Sequence, residues 1–185
     1  LLASGALDGE RARKASATIL AQSERLQNLV ASIINYSEID SDDLPLYEVD
    51  ASRIARETLA ALSPEIAERK ILPPSPIRGG LMLMSRYERV TEIFGNIIRN
   101  AIRYNREGGS ISVLLTREEF TVSDTGIGIA KEDLGRIFDR FFTVDKSHNG
   151  KNGGFGLGLS VVKKLCGKQN WQLTVESEPG KGSTF

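Results

Sequence analysis

The sequence is poor in the residues that form covalent or metal-based frameworks. It contains one cysteine, Cys166, and one histidine, His148, in 185 residues. A single cysteine excludes an internal disulfide and a zinc site built from several cysteines, and it is typical of a reducing compartment. The sequence also lacks an apolar run near the ~20 residues of a membrane-spanning helix, and it lacks a recognisable signal peptide. We therefore expect a cytoplasmic chain that is not itself embedded in a membrane.

The sequence has no excess of charge of either sign, since 24 Lys and Arg residues balance 24 Asp and Glu residues. A balanced chain has no overall field that would recruit nucleic acid or an anionic membrane surface. We expect no nucleic-acid partner. Any phosphate binding must come from a local arrangement of groups.

A long helix is predicted from about Asp8 to Asp40, because this segment has no proline and no glycine after Gly9. Its apolar residues have the spacing of a coiled-coil seam: Ile19, Leu26 and Ile33 recur every seven residues, with Leu29 and Tyr36 between and after them. Such a stripe must pack against another helix. An amphipathic helix that packs on its own domain is the alternative. The pattern ends near Ser41, which predicts two domains, residues 1–41 and 42–185.

The second segment alternates between strand and helix patterns, which predicts an α+β domain. Strands are expected around Pro45 and at Leu81–Met84, Ser110–Thr116, Phe120–Ser123 and Trp171–Glu176. Helices are expected at Ala51–Lys70, capped by Asp50 and kinked at Pro64, and at Arg86–Tyr104, Lys131–Phe138 and Leu157–Gln169. The segment Ile71–Gly80, with three prolines, has no assignment.

Three polar residues share one face of the helix predicted at Arg86–Tyr104. Asn96, Asn100 and Arg103 are separated by four and three positions, which is one helical turn each. The carbonyl oxygen of an asparagine is a hard ligand of the kind that magnesium prefers, and an arginine can hold a phosphate through two hydrogen bonds. A solvated polar face is the alternative interpretation.

Two glycine-containing segments follow. Asp124 follows directly on a predicted strand and is itself followed by Gly126 and Gly128, so its carboxylate could accept a hydrogen bond from an exocyclic amine while the glycines let a flat ring approach the backbone. A tight turn with a capping aspartate is the alternative. Residues 153–160, GGFGLGLS, lead into a predicted helix and would form an anion site from backbone N–H groups and the helix dipole. Their spacing fits neither a P-loop nor the G-x-G-x-x-G loops of dinucleotide-binding and protein-kinase-like folds.

Together these segments resemble the boxes of the sensor histidine kinases, in the order of that family. Asn96–Tyr104 resembles the N box, Asp124–Gly128 the G1 box, Ile137–Phe142 the F box and Gly154–Gly158 the G2 box, and Gly180–Phe185 resembles the final box. Residues 33–38, IINYSE, resemble the second helix of the dimerisation and phosphotransfer hairpin. The resemblance implies a Bergerat-type ATP-binding α/β sandwich, a mixed sheet with helices on one face, preceded by a long helix of a dimerisation bundle.

The resemblance also implies roles for single residues. Asn100 would bind Mg²⁺, Asp124 would recognise the adenine of ATP, and Arg140 would reach the γ-phosphate. Asn96 and Arg140 would be the catalytic residues. The residues implied to bind the nucleotide are Asn96, Asn100, Arg103, Tyr104, Asp124, Gly126, Gly128, Arg140, Gly154, Gly156, Leu157, Gly158 and Thr184.

Asn96 stands where related ATPases carry a glutamate that activates water, so phosphoryl transfer to a side chain is favoured over hydrolysis. His148 falls in the segment from about Thr143 to Gly153, which would be a lid, and a lid residue is a poor acceptor. The resemblance implies an acceptor histidine upstream of Leu1, so we expect this chain to bind nucleotide without phosphorylating itself. It further implies a homodimer formed through the hairpin, a response-regulator receiver domain as partner, and a membrane-anchored bacterial sensor as the whole protein.

Two other functions stay open at this stage. One is an ATPase or an anti-sigma serine kinase of the same superfamily, and the other is a degenerate binding module that serves only as a dimer scaffold. The sequence also departs from the family pattern at Ser85 or Arg86, where an aspartate is common, and at Ile71–Gly80, where the family commonly has a longer strand pair.

Overall fold

The computed structural model describes residues 9–41, 44–144 and 155–185. The chain divides into two compact units, Leu1–Asp42 and Asp43–Phe185. The first unit contains helix α1 (Gly9–Ser41), which confirms the predicted long helix. The seam residues Ile19, Leu26 and Ile33 are 59%, 62% and 45% exposed. The assignment of this helix to a dimerisation hairpin stays a prediction.

The second unit is an α+β domain, as the sequence predicts. Its elements are β1 (Tyr47–Asp50), α2 (Ala51–Glu68), β2 (Met82–Ser85), α3 (Tyr87–Arg103), β3 (Ile111–Leu115), β4 (Phe120–Asp124), α4 (Gly158–Lys168), β5 (Glu176–Glu178) and β6 (Gly182–Thr184). Strands β1 and β2 form an antiparallel pair, and the other four form a sheet in the order β3-β4-β6-β5. All ladders between these strands are antiparallel. The expected mixed sheet would contain parallel as well as antiparallel pairing. Within the described ranges, the parallel pairing is an isolated bridge between Leu72 and Ser110.

Helix α3 positions the rest of the second unit because its apolar and polar residues lie on different faces. Its apolar residues recur at helical spacing and are buried against α2, α4 and β4. Phe94, only 2% exposed, stacks on Phe120 of β4 with ring centroids 3.7 Å apart and an interplanar angle of 19°. The polar face of α3 is therefore held at a fixed place relative to the sheet.

Side-chain hydrogen bonds explain where helix α2 begins and how it continues past Pro64. Its predicted cap is confirmed, since Oδ1 of Asp50 accepts a hydrogen bond from the N–H of Arg53 at 2.8 Å. The helix then runs through Pro64. Proline has no N–H to donate to the carbonyl four residues earlier, that of Ala60. The hydroxyl of Ser63 donates to that same oxygen at 2.8 Å, which replaces the lost bond.

Two predicted elements differ from the structure. The predicted helix Lys131–Phe138 is wrong, because residues 131–138 form successive turns. The N–H groups of Asp133 and Arg136 donate to carbonyls three residues earlier, and the four-residue bond from Ile137 to Asp133 is not continued by its neighbours. The segment therefore forms turns and not an α-helix. The predicted strand Trp171–Glu176 is also wrong, because β5 begins only at Glu176. Strand β5 pairs with β6, which has three residues. The length of β6 therefore limits the length of β5.

We expect Phe94→Ala to lower the free energy of unfolding by about 3–5 kcal/mol, because it removes a buried ring from between α3 and β4. Leu114→Ala on β3, where the side chain is 49% exposed, should cost less than about 1 kcal/mol. Urea unfolding followed by the fluorescence of Trp171, the only tryptophan, measures both. Equal losses for the two variants would contradict this description of the core.

Candidate functional site

Asp124 ends strand β4, and its carboxylate turns back onto the following loop. Oδ1 accepts a hydrogen bond from the N–H of Gly126 at 2.8 Å. Burial raises the pKa of Asp124 above its ordinary value, and backbone hydrogen bonds from Gly126 and Ser183 act in the opposite direction. Burial disfavours the charged form, so a carboxylate is kept here at a cost. Such a group is a candidate for a role in binding.

The loop after Asp124 is closed on both sides by backbone contacts. The N–H of Ile127 donates to the carbonyl of Tyr104 at the end of α3 (3.0 Å), and the carbonyl of Ile127 accepts from the N–H of Gly180 (2.8 Å). The end of α3, the end of β4 and the turn between β5 and β6 therefore meet around Asp124.

Glycines permit this close approach. A Cβ atom at Gly128, where φ is +68°, would overlap the carbonyl of Glu178, and one at Gly182, where φ is +110°, would overlap the carbonyl of Asp124. A Cβ at Gly126 would overlap the carbonyl of Tyr104. Side chains at these positions would force the three segments apart.

Hydroxyl groups fasten the strands next to Asp124. The hydroxyl of Thr184 donates to Oγ of Ser123 at 3.0 Å, which brings Thr184 beside the end of β4. Oγ of Ser177 accepts from the N–H of Ile129 and donates to the carbonyl of Gly182, both at 2.8 Å. Ser177 thereby joins the loop after Asp124 to β5 and β6, a role that the sequence did not predict.

The polar face of α3 leads from this loop toward α4. Asn96, Asn100 and Arg103 are partly buried, and Tyr104 at the end of the helix is 36% exposed. The side-chain N–H groups of Asn96 donate to the backbone carbonyl of Glu92 at 2.9 Å and to its Oε1 at 2.8 Å. Oδ1 of Asn96 lies 2.8 Å from the position that a Cβ at Gly158 would occupy. The structure therefore brings Asn96 and the start of α4 together.

The segment that leads into α4 packs closely against the backbone of Phe141 and Phe142 at Gly156. The carbonyl of Gly156, where φ is +68°, accepts from the N–H of Phe141 at 2.9 Å, and a Cβ there would lie 2.5 Å from the carbonyl of Phe142. Leu157 is buried, and α4 begins at Gly158. Gly154, His148 and most of the expected lid lie outside the described residues.

Arg140 lies on the surface, in the turns before Phe141. Phe141 itself is 58% exposed with φ of +64°. The guanidinium of the neighbouring Arg136 lies 4.6 Å from the ring centroid of Phe142, which fixes the end of this segment next to Gly156. A contact between Arg140 and a phosphate stays a prediction.

The residues that are present suit a magnesium ion that arrives with a nucleotide. In the ranges 9–41, 44–144 and 155–185, no three or more His, Cys, Asp or Glu side chains are grouped so that they could hold a metal. Asn96 and Asn100 can supply neutral oxygens, and Mg²⁺ commonly takes its remaining ligands from phosphates and water. Asn100 would hold such an ion only together with ATP.

A family described as histidine kinase-, DNA gyrase B-, and HSP90-like ATPase matches residues 85–185. The chain belongs to this family. Within it, the sensor-like histidine kinase SenX3 of Mycolicibacterium smegmatis is 33% identical over 196 residues, which cover 100% of this chain and 50% of the relative. The phosphate regulon sensor protein PhoR of Pseudomonas aeruginosa is 32% identical over 173 residues, which cover 89% and 38%. The chain thus spans half or less of the length of these relatives.

A solved structure of full-length ShkA in complex with AMPPNP matches with a TM-score of 0.74 and 25% identity, covering 97% of this chain and 38% of that one. The fold, the family and these relatives together identify residues 85–185 as the ATPase domain of a sensor histidine kinase. Among the described helices, none has the length and apolar character needed to cross a membrane.

If the carboxylate of Asp124 accepts a hydrogen bond from the adenine amine, as the resemblance implies, Asp124→Asn should weaken ATP binding about 100-fold, because the amide presents N–H groups in place of that acceptor. The same change should not lower stability at neutral pH. The pKa of Asp124 is raised in the folded state, so the folded chain holds this proton more tightly than the unfolded chain does. The free energy of unfolding therefore falls as the pH rises above about 4, the ordinary pKa of an aspartate. Asparagine stays neutral and removes this loss. Thermal melting from pH 4.5 to 7 (roughly the window above the unfolded pKa) checks the prediction, and a parent chain that gains stability relative to the variant with rising pH would contradict it.

Proposed function

We propose that the second unit binds ATP with magnesium and that it transfers the γ-phosphoryl group to a histidine side chain. The observation that carries the proposal is the arrangement along α3. Tyr104 at its end contacts the Asp124 loop, and Asn96 faces the start of α4. Eight residues separate Tyr104 from Asn96, which is ~12 Å along a helix. This distance suits an adenine at one end and a triphosphate at the other.

The chain's own residues have separate tasks in this proposal. Asp124 accepts a hydrogen bond from the adenine amine, and Gly126, Gly128 and Thr184 let the pocket close around the ring. Tyr104 lines the nucleotide between its base and its sugar. A side chain at either glycine would meet the backbone of Tyr104 or Glu178, so glycine lets the segments that border the pocket pack closely.

The phosphate end depends on charge and on free N–H groups. The backbone at Gly156, Leu157 and Gly158 leads into α4, whose first N–H groups and positive dipole end favour an anion. Gly154 would extend this loop. Arg103 and Arg140 would offset phosphate charge, and Asn100 would hold Mg²⁺, which supplies charge neutralisation when it is bound.

Transfer to a side chain is favoured over hydrolysis because no free base lies at the position one turn before Asn100. Asn96 occupies it, and an amide cannot take a proton from water. The nearest carboxylate along the helix, that of Glu92, accepts a hydrogen bond from Asn96 itself. We infer that water is therefore not activated at this end of the site.

The proposal extends to partners that the relatives suggest. The phosphohistidine would pass its phosphoryl group to an aspartate on a response-regulator receiver domain. Helix α1, with its exposed apolar stripe, would pair within the helical hairpin of a homodimer. The whole protein would be a membrane-anchored bacterial sensor with this part in the cytoplasm. His148 is the chain's only histidine, and we propose that it is not the acceptor.

The test supplies the chain with radiolabelled ATP, magnesium and a separate hairpin domain that carries an acceptor histidine. The expected product is an acid-labile, base-stable phosphoprotein on that domain and no label on the chain itself. Asn100→Ala should reduce the transfer rate about 100-fold, whereas Arg99→Ala, an exposed neighbour on the same helix, should stay within about twofold. Acid-stable label would indicate a serine kinase, and release of free phosphate without labelled protein would indicate an ATPase.

A further inference from the structure

The side-chain amide of Asn96 has no N–H group left for a ligand. An asparagine side chain carries two N–H donors and one carbonyl oxygen. In this structure Nδ2 donates to the backbone carbonyl of Glu92 at 2.9 Å and to Oε1 of Glu92 at 2.8 Å. Two donors thus meet two acceptors of a single residue, one helical turn earlier. The second of these bonds is charge-assisted, which makes it the stronger kind.

This pairing fixes which end of the amide points into the site. With Nδ2 turned toward Glu92, Oδ1 points the other way, toward Gly158 at the start of α4. A Cβ atom at residue 158 would lie 2.8 Å from Oδ1 and 3.5 Å from Cγ. Glycine at this position therefore leaves room for the carbonyl of Asn96 in the place where the phosphates are proposed to lie.

A carbonyl oxygen and an amide N–H would act differently there. Phosphate oxygens are acceptors, so a carbonyl oxygen gains nothing from direct contact with them, whereas an N–H would bind them. A carbonyl oxygen instead suits a hard cation or the water molecules around it. The orientation of the amide thus decides whether Asn96 contacts the anion or the cation.

We propose that Glu92 is a positioning residue, which turns the carbonyl of Asn96 into the site so that Asn96 interacts with the nucleotide only through Mg²⁺ or its water shell. This inference rests on the proposed function, and it adds a residue that the family boxes did not indicate. Glu92 is partly buried, and its carboxylate also adds negative charge near the proposed cation.

A purely structural role is the alternative. Polar pairs four residues apart stabilise a helix, and such a pair would be independent of any metal. The two roles differ in one measurable respect. A structural role leaves the difference between nucleotide affinity with magnesium and without it unchanged, whereas a positioning role alters it. The charge of Glu92 would act on the same difference, and Glu92→Gln removes that charge while it keeps the acceptor oxygen.

The experiment measures the Kd of the 185-residue chain for a fluorescent ATP analogue in excess Mg²⁺ and again in EDTA. Glu92→Leu should raise the Kd measured in Mg²⁺ about tenfold. The Kd measured in EDTA should stay within about twofold of the parent value. Glu92→Gln keeps an acceptor oxygen and should restore the Mg²⁺ value to within about threefold of the parent. Glu88→Leu is the matched control, one turn earlier on α3, with a side chain that is 73% exposed.

The outcomes separate the two claims. A parent chain whose affinity does not respond to Mg²⁺ overturns the proposed magnesium–nucleotide site, and the role of Glu92 with it. A parent that responds normally, together with Glu92→Leu that equals the parent or that loses affinity equally in both conditions, overturns the positioning role alone. If Glu92→Leu fails to fold by circular dichroism, Glu92→Ala is measured in the same way, and a Mg²⁺-specific loss in that variant supports the inference while an unchanged value overturns it.

Discussion

The site depends on one half-buried carboxylate, that of Asp124. Keeping a charge in this position opposes folding, as the raised pKa indicates. The surrounding backbone holds it in place: the N–H of Gly126 donates to Oδ1, and the carbonyl of Asp124 touches the backbone at Gly182. These contacts bring the end of α3, the end of β4 and the β5–β6 turn to a single point.

Helix α3 then sets the length of the site. Its buried face is fixed on the sheet by the stacked rings of Phe94 and Phe120, so its polar face has little freedom to rotate. One end of that face meets Asp124, and two turns earlier Asn96 meets the start of α4. A substitution in the apolar stripe would therefore shift this polar face relative to Asp124 and to the start of α4, and it would lower the stability of the core.

The parts of the fold that could be predicted are those that depend on neighbouring residues in the sequence. The stripe on α3, the cap at Asp50 and the β3–β4 pair follow from side-chain periodicity and capping, which short sequence segments contain. The turns at residues 131–138 and the bounds of β5 depend on partners far along the chain, and the sequence-based prediction was wrong there. The boxes identified the candidate site residues, yet their roles stay predictions. The Glu92–Asn96 pair was missed, although its spacing of four was visible, because the orientation of an amide depends on what surrounds it.

The central claim is that the carboxylate of Asp124 selects a base with an exocyclic amine. Calorimetric titration of the parent chain with ATP and with inosine triphosphate, in excess Mg²⁺, tests it most directly. In inosine triphosphate an oxo group replaces the amine, and the adjacent N1 carries a hydrogen where adenine has an acceptor. An oxo group would place an acceptor against the carboxylate and leave a buried group unpaired. The account predicts that inosine triphosphate binds at least about 100-fold more weakly than ATP. Equal affinities for the two nucleotides would contradict it.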